Sequence, residues 1–308
     1  MMVGRALDAT SYKLLRLMLA ATLVGIEGVC VGFAQTGVPR PDAPVVSRAP
    51  TLDDVLEGLQ ANLHDYRQTV PDLYCNERVE STMQGRGTNL KTVTEATFRL
   101  RKRRLEDGTI EFEESRVLRK VDGRPVTANV EKLSGPAILS GVFSTGLDII
   151  SEEERGCYKY TLHAGAGRGV PDKQSADNSA TANQAADKRD AEKMVVVEFK
   201  DLPQGERERA CVPFESTYGY AVIDPVSMHV VLLEKTTPNY GRIAAMKGEW
   251  TWTVEYGPVQ LLGKTFWVPK TIRSTSMTKD HSYTWSFDGT YADYHLFHAE
   301  SRIVPVEP

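Results

Sequence analysis

Histidines, cysteines, a basic run and a set of large aromatic rings are the residues of this chain with chemistry to offer. His295 and His298 stand three apart in a segment that reads as a strand. Two histidines share a metal only if both rings reach one point, and a three-residue step along a strand sends side chains to opposite faces. They read as surface histidines. His64 falls off the apolar stripe of a helical segment, and Asp280-His281 sits in a turn, Lys279 to Ser282, where aspartate bonds to backbone. No His-Glu-x-x-His, Gly-x-Ser-x-Gly, phosphate-loop or calcium-loop pattern occurs. Gly165-Ala166-Gly167-Arg168-Gly169 has the glycines of a nucleotide loop, but no helical pattern follows it. The expectation is a non-enzymatic protein with no cofactor and no metal.

Three cysteines, Cys75, Cys157 and Cys211, lie beyond the N-terminal segment described below, and none has a histidine or metal partner beside it. In an oxidising compartment an odd number gives one bridge and one spare thiol. Strands over Cys157 to His163 and Met194 to Lys200, if paired, bring Cys211 back to Cys157. A Cys157–Cys211 disulfide with Cys75 reduced and buried is therefore expected.

Arg99, Arg101, Lys102, Arg103 and Arg104 form the densest charge run. A two-residue turn at Asp107-Gly108 would set Arg104 opposite Glu111, Lys102 opposite Glu113 and Arg101 opposite Glu114. That ladder neutralises itself and keeps a sheet edge soluble. The chain's net charge is −4. Removing residues 1–34 takes away Arg5, Lys13 and Arg16 against Asp8 and Glu27, which makes it −5. Nucleic acid is not an expected partner, since its binding relies on neutralising phosphates.

The aromatic set is the best candidate for a binding surface. Trp250, Trp252 and Tyr256 alternate along one strand, and Tyr283, Trp285 and Phe287 along another. They are either core alone, or core plus an apolar cleft for a lipid chain or a peptide. A candidate lid lies in Leu133 to Ile150, where Ile138, Leu139, Val142, Phe143 and Leu147 are set among glycines.

These residues need elements to position them. Lys13 and Arg16, the apolar Leu14 to Ile26 and the small-x-small Gly32-Phe33-Ala34 read as a secretion signal cut after Ala34. The alternatives are an uncleaved anchor, which Glu27 interrupts, and a lipid-modified Cys30, preceded by bulky Val29. No later segment is apolar enough to span a bilayer as a helix. Residues 35–50, with four prolines, read as a linker. Thr51 caps a helix with Leu52, Val55, Leu56, Leu59, Leu63 and Tyr66 on one face, ended by Pro71. From Cys75 the period changes to two, and about ten strands follow. Residues 133–154 read as loop with short helical turns. Residues 165–193, low in apolar residues, read as a mobile insertion. Pro269 marks an edge strand or a bulge. Residues 51–308 are thus a single mainly β domain, a large antiparallel sheet with an N-terminal amphipathic helix on it.

Pro71-Asp72-Leu73-Tyr74-Cys75, the Tyr218 to Glu234 hairpin, Glu255-Tyr256-Gly257-Pro258-Val259 leading to Phe266-Trp267-Val268-Pro269, and Tyr291 to Phe297 resemble secreted bacterial proteins of the lipoprotein-carrier fold. LolA, LolB, LppX and RseB share that fold. The resemblance implies a curved half-barrel wrapped round the helix, with space between for acyl chains or a peptide partner. It implies a periplasmic or cell-envelope binding protein for an acyl chain, a lipoprotein or an envelope protein. The alternative is a structural or sensory interaction module without a small ligand.

Overall fold

The computed structural model describes residues 49–126, 135–164, 194–207, 211, 216–240 and 248–297. The secretion signal, most of the linker, the insertion at 165–193 and His298 lie outside the described residues.

Helix α1 spans Leu52–Thr69, and its first turn is closed by a capping box. Thr51 Oγ1 accepts from the Asp54 amide at 3.2 Å, and an Asp54 carboxylate oxygen accepts from the Thr51 amide at 2.8 Å. Val55, Leu56, Leu59 and Leu63 are its buried face, as the spacing requires. The Val70 amide still bonds Tyr66, so the helix runs its full length before Pro71 turns the chain out.

The strands are β1 (Leu73–Gly85), β2 (Thr88–Arg104), β3 (Ile110–Val121), β4 (Arg124–Pro125), β5 (Tyr158–Ala164), β6 (Val195–Asp201), β7 (Tyr218–Asp224), β8 (His229–Tyr240), β9 (Gly248–Leu261), β10 (Lys264–Thr278) and β11 (Thr284–Leu296). They form one antiparallel sheet, curved but not closed into a barrel, in the order β4-β3-β2-β1-β11-β10-β9-β8-β7-β6-β5. The first and last long strands meet in its middle, Glu77 opposite Tyr291. Two meanders therefore run outward from that seam, and β4 and β5 end up on opposite edges. The connection between them must travel across the sheet. It does so through α2 (Val142–Thr145) and 3₁₀ turns at Gly146–Ile150 and Arg155–Cys157. The first two are the short helical turns expected of residues 133–154; the third lies beyond that range and ends at Cys157, which the sequence reading placed in the following strand.

Helix α1 and this crossing segment bury their apolar side chains in one cluster with the inner face of the sheet. Asn62 anchors the helix by donating to the carbonyls of Ser227 and Met228 at 2.8 and 2.6 Å. Pro269 sits at a bulge in β10, an interior strand, where the register with β9 shifts between Pro269 and Thr271.

The β2–β3 register corrects the sequence reading by one residue. The loop has three residues, not two: the Leu105 amide bonds Thr109, the Gly108 amide bonds Leu105, and Gly108 takes φ 83°. Arg103 therefore faces Glu111 and Arg101 faces Glu113, while Lys102 faces Phe112 and Glu114 faces Leu100. A one-residue slip reverses every side chain's face. It sends Glu114 into the interior.

Candidate ligand cleft

On β9, Trp252, Val254 and Tyr256 are buried and Trp250 half-buried, while Glu249 on the other face is exposed. The register extends this face into rows across the sheet. One row runs Lys235, Trp252, Ser274, Phe287, Ser81; the next runs Thr237, Trp250, Ser276, Trp285, Met83. Serines next to tryptophans leave troughs where a uniformly large row would be flat. Trp250 Nε1 donates to Ser274 Oγ at 2.7 Å, which fixes the ring across one such step.

The crossing segment roofs these rows. Leu139, Val142 and Phe143 are buried, Leu147 is partly buried, and Ile138 is 61% exposed. Phe143 packs on Phe98 and Tyr291 at ring distances of 4.4 and 5.1 Å. Gly146 comes so near the sheet that an added Cβ would lie 3.0 Å from the Tyr256 hydroxyl.

Polar contacts on this roof converge on Glu114. Its carboxylate accepts from the Gly141 amide, the Ser144 amide and Ser144 Oγ at 2.8–2.9 Å. Glu114 also pairs with Arg116 at 3.3 Å, and Arg116 Nε reaches both Glu77 oxygens at 3.0 Å. All three side chains are buried, and Phe98 lies under the guanidinium at 4.7 Å. Burial pushes the Glu77 carboxyl above the ordinary range, opposed by Arg116 and by a hydrogen bond from Tyr291. Burial also works against the Arg116 charge, but the carboxylates outweigh it and hold the guanidinium protonated. Strand alternation from Cys75 through Glu77 to Val79 carried a signal for the inward Glu77; Glu114 was hidden by the register.

Between roof and sheet lies a cleft of about 430 Å³, with Trp250, Trp252 and Tyr240 on the sheet side and Val142, Gly146 and Ile149 on the roof side. A second cleft of about 230 Å³ continues on the other side of Trp250 and Tyr240, between Ile138, Leu139 and the Trp285 and Phe287 rings. Tyr256 instead faces a crevice of about 70 Å³ beside α1. Tyr283 stacks on Trp285 at 5.8 Å and carries Arg86 over its ring. The six aromatic residues thus belong to three neighbourhoods along the inner face, and the roof of the larger clefts is the crossing segment, not the helix.

Cys157 and Cys211 form a disulfide that lines the larger cleft, and Cys75 is free and buried. The strand pairing that predicts the bridge is present, Tyr158 opposite Asp201. Among the described residues no cluster of His, Cys, Asp and Glu is suited to a metal. No helix among them is long and apolar enough to cross a membrane.

No family model matches the chain, and no curated protein does. Solved structures do. A DUF1329 family protein from Desulfovibrio piger matches at 12% identity over 80% of this chain and 95% of its own, with a TM-score of 0.34. A putative outer membrane lipoprotein-sorting protein domain from Vibrio parahaemolyticus matches at 12% identity over 78% and 91%, with a TM-score of 0.31. MucB, solved in complex with MucA(peri), matches at 11% over 79% and 94%, with a TM-score of 0.15. A lipoprotein-sorting domain, the type of protein that the sequence resembles, is thus among the matches.

Proposed function

We propose that the protein is an exported, non-catalytic binding or carrier protein of the cell envelope, and that it holds the acyl chain of a lipid or lipoprotein between the crossing segment and the aromatic rows. The observation that carries this reading is the cleft of about 430 Å³ walled by Trp250, Trp252 and Tyr240. Ligand sites of roughly 300–1,000 Å³ are typical for small molecules. Its apolar side, formed by Val142, Ile149, Trp250 and Trp252, suits a chain, and the neighbouring cleft beyond Trp250 offers a path for a longer one. The disulfide agrees with an oxidising compartment.

A fluorescent fatty-acid probe titrated into the purified protein tests this. Saturable binding at one site, displaced by unlabelled fatty acid, is expected, together with lipid in the intact mass of gently purified protein. A folded sample that shows neither would leave an interaction module without a small ligand. Export is tested by N-terminal sequencing of protein from cell fractions, with Gln35 expected as the first residue of the mature chain.

A further inference from the structure

One end of the larger cleft is ionic, and among the described residues not all of its charges are in ion pairs. Asp148 pairs with Arg67 of α1 at 2.6 Å, and Asp201 pairs with Arg207 at 3.1 Å while accepting from the Thr217 amide. Two more charged groups line the same space, Lys235 from β8 and Glu154 from the turn before β5. Neither has a hydrogen bond or an ion pair, with each other or with any described residue. The Trp252 ring lies 5.9 Å from the Lys235 ammonium. Burial acts on both, pulling the Lys235 ammonium down and pushing the Glu154 carboxyl up. Charges beyond ion-pair distance act on each, since Glu154, Asp201 and Asp148 favour the Lys235 ammonium and Lys235 favours the Glu154 carboxylate, yet neither side chain has a direct polar contact to offset its lost solvation. Here a cation and an anion line one cleft, together with tryptophan and tyrosine rings.

We propose that this end of the cleft receives a zwitterionic head group, an anionic phosphate toward Lys235 and a cationic ammonium toward Glu154, so that the ligand is a zwitterionic amphiphile. The inference rests on the chain-binding reading above and names the class of ligand. A singly charged amphiphile satisfies one of the two groups and sets its own charge beside the like-charged other. A zwitterion satisfies both. The rings of Trp250 and Tyr240, 4.5 Å apart, line the same cleft, and aromatic rings near a cation favour an ammonium.

The test compares amphiphiles of one chain length, each below its micelle concentration, by displacement of the fatty-acid probe: dodecylphosphocholine, dodecyl phosphate and dodecylamine, with phosphocholine lacking a chain as the fourth arm. The zwitterion should bind about tenfold more tightly than either singly charged compound, a difference of about 1.4 kcal/mol. Phosphocholine alone should bind far more weakly. Lys235→Met should bring the zwitterion down to the affinity of the amine, and Glu154→Gln to that of the phosphate. Equal affinities for all three chains, or a preference for one singly charged head group, would overturn the proposal and leave chain binding intact. Phosphocholine binding as well as its chain-bearing form would refute an amphiphile as the ligand. Failure of every compound and of the probe would remove both readings. The wild-type comparison decides the matter even if a variant does not fold.

Discussion

Glu77, Arg116 and Glu114 are charged side chains inside an apolar core, and taking each out of water costs several kcal/mol before any pairing offsets it. Paired they are tolerated; with one removed, an uncompensated charge remains. Arg116→Met is therefore expected to destabilise the domain by about 3–5 kcal/mol, read by urea denaturation. A loss within 0.5 kcal/mol would mean that the network contributes nothing by being charged. The two cleft tryptophans separate on the same scale. Trp252 is 5% exposed and its loss leaves a core cavity, so Trp252→Ala should cost about 3–5 kcal/mol of stability. Trp250 is half-buried between two clefts, and Trp250→Ala should weaken probe binding while the fold survives. Similar stability losses from both would place Trp250 in the core as well. Cys75 is the third residue with a clear expectation. Burial, and next the nearby Glu77 charge, push its thiol up to about 12, so the reactive thiolate is scarce at neutral pH. It should resist a thiol reagent in the folded protein and react at once in denaturant.

At the scale of elements, the roof is held through α2. Glu114 accepts from two amides and a hydroxyl there, and Phe143 inserts between Phe98 and Tyr291. Glu114→Gln keeps the shape but weakens charge-assisted bonds, so probe association and dissociation should both quicken in stopped-flow fluorescence. Unchanged rates would mean that the roof does not gate the cleft. The elements were readable in the sequence to the extent that period reports burial. α1 showed its stripe, β9 its alternation, and residues 133–154 their lack of either. Strand ends were harder to see. β8 continues to Tyr240 and β9 to Leu261, through Pro258, because a strand inside a large sheet is held by its neighbours beyond the point where its own alternation fades. The β2–β3 loop misled for a different reason: Asp-Gly suits a two-residue turn as well as the end of a three-residue one, and only the register decides. Since Glu114 changes face with that register, the roof's anchor was out of reach. Lys235 was hidden too, because an inward lysine cannot be told from an outward one until the strand's extent is known.

For the whole molecule, the decisive feature is that the two meanders end on opposite edges, so one connection must cross the sheet and that connection becomes the roof of the cleft. The disulfide sits where this crossing ends. Cys157 immediately precedes β5, and Cys211 lies in the connection from β6 to β7, 54 residues away in sequence. Closing a loop of that length limits the unfolded chain by about 4 kcal/mol in the entropic model. Its second effect is local to the site, since both cysteines line the larger cleft together with Asp201 and Arg207. Among the contacts that remain without the bridge are the Arg207–Asp201 pair and the bond from the Thr217 amide to Asp201. Replacing both cysteines by serine should thus lower the melting temperature by roughly 8–16 °C, from about 2–4 °C per kcal/mol for a domain of this size. The same variant should bind the probe more weakly at temperatures where it remains folded. A lowered melting temperature with unchanged binding would make the bridge a staple of the fold alone. An unchanged melting temperature would show that the edge strand holds its place without it.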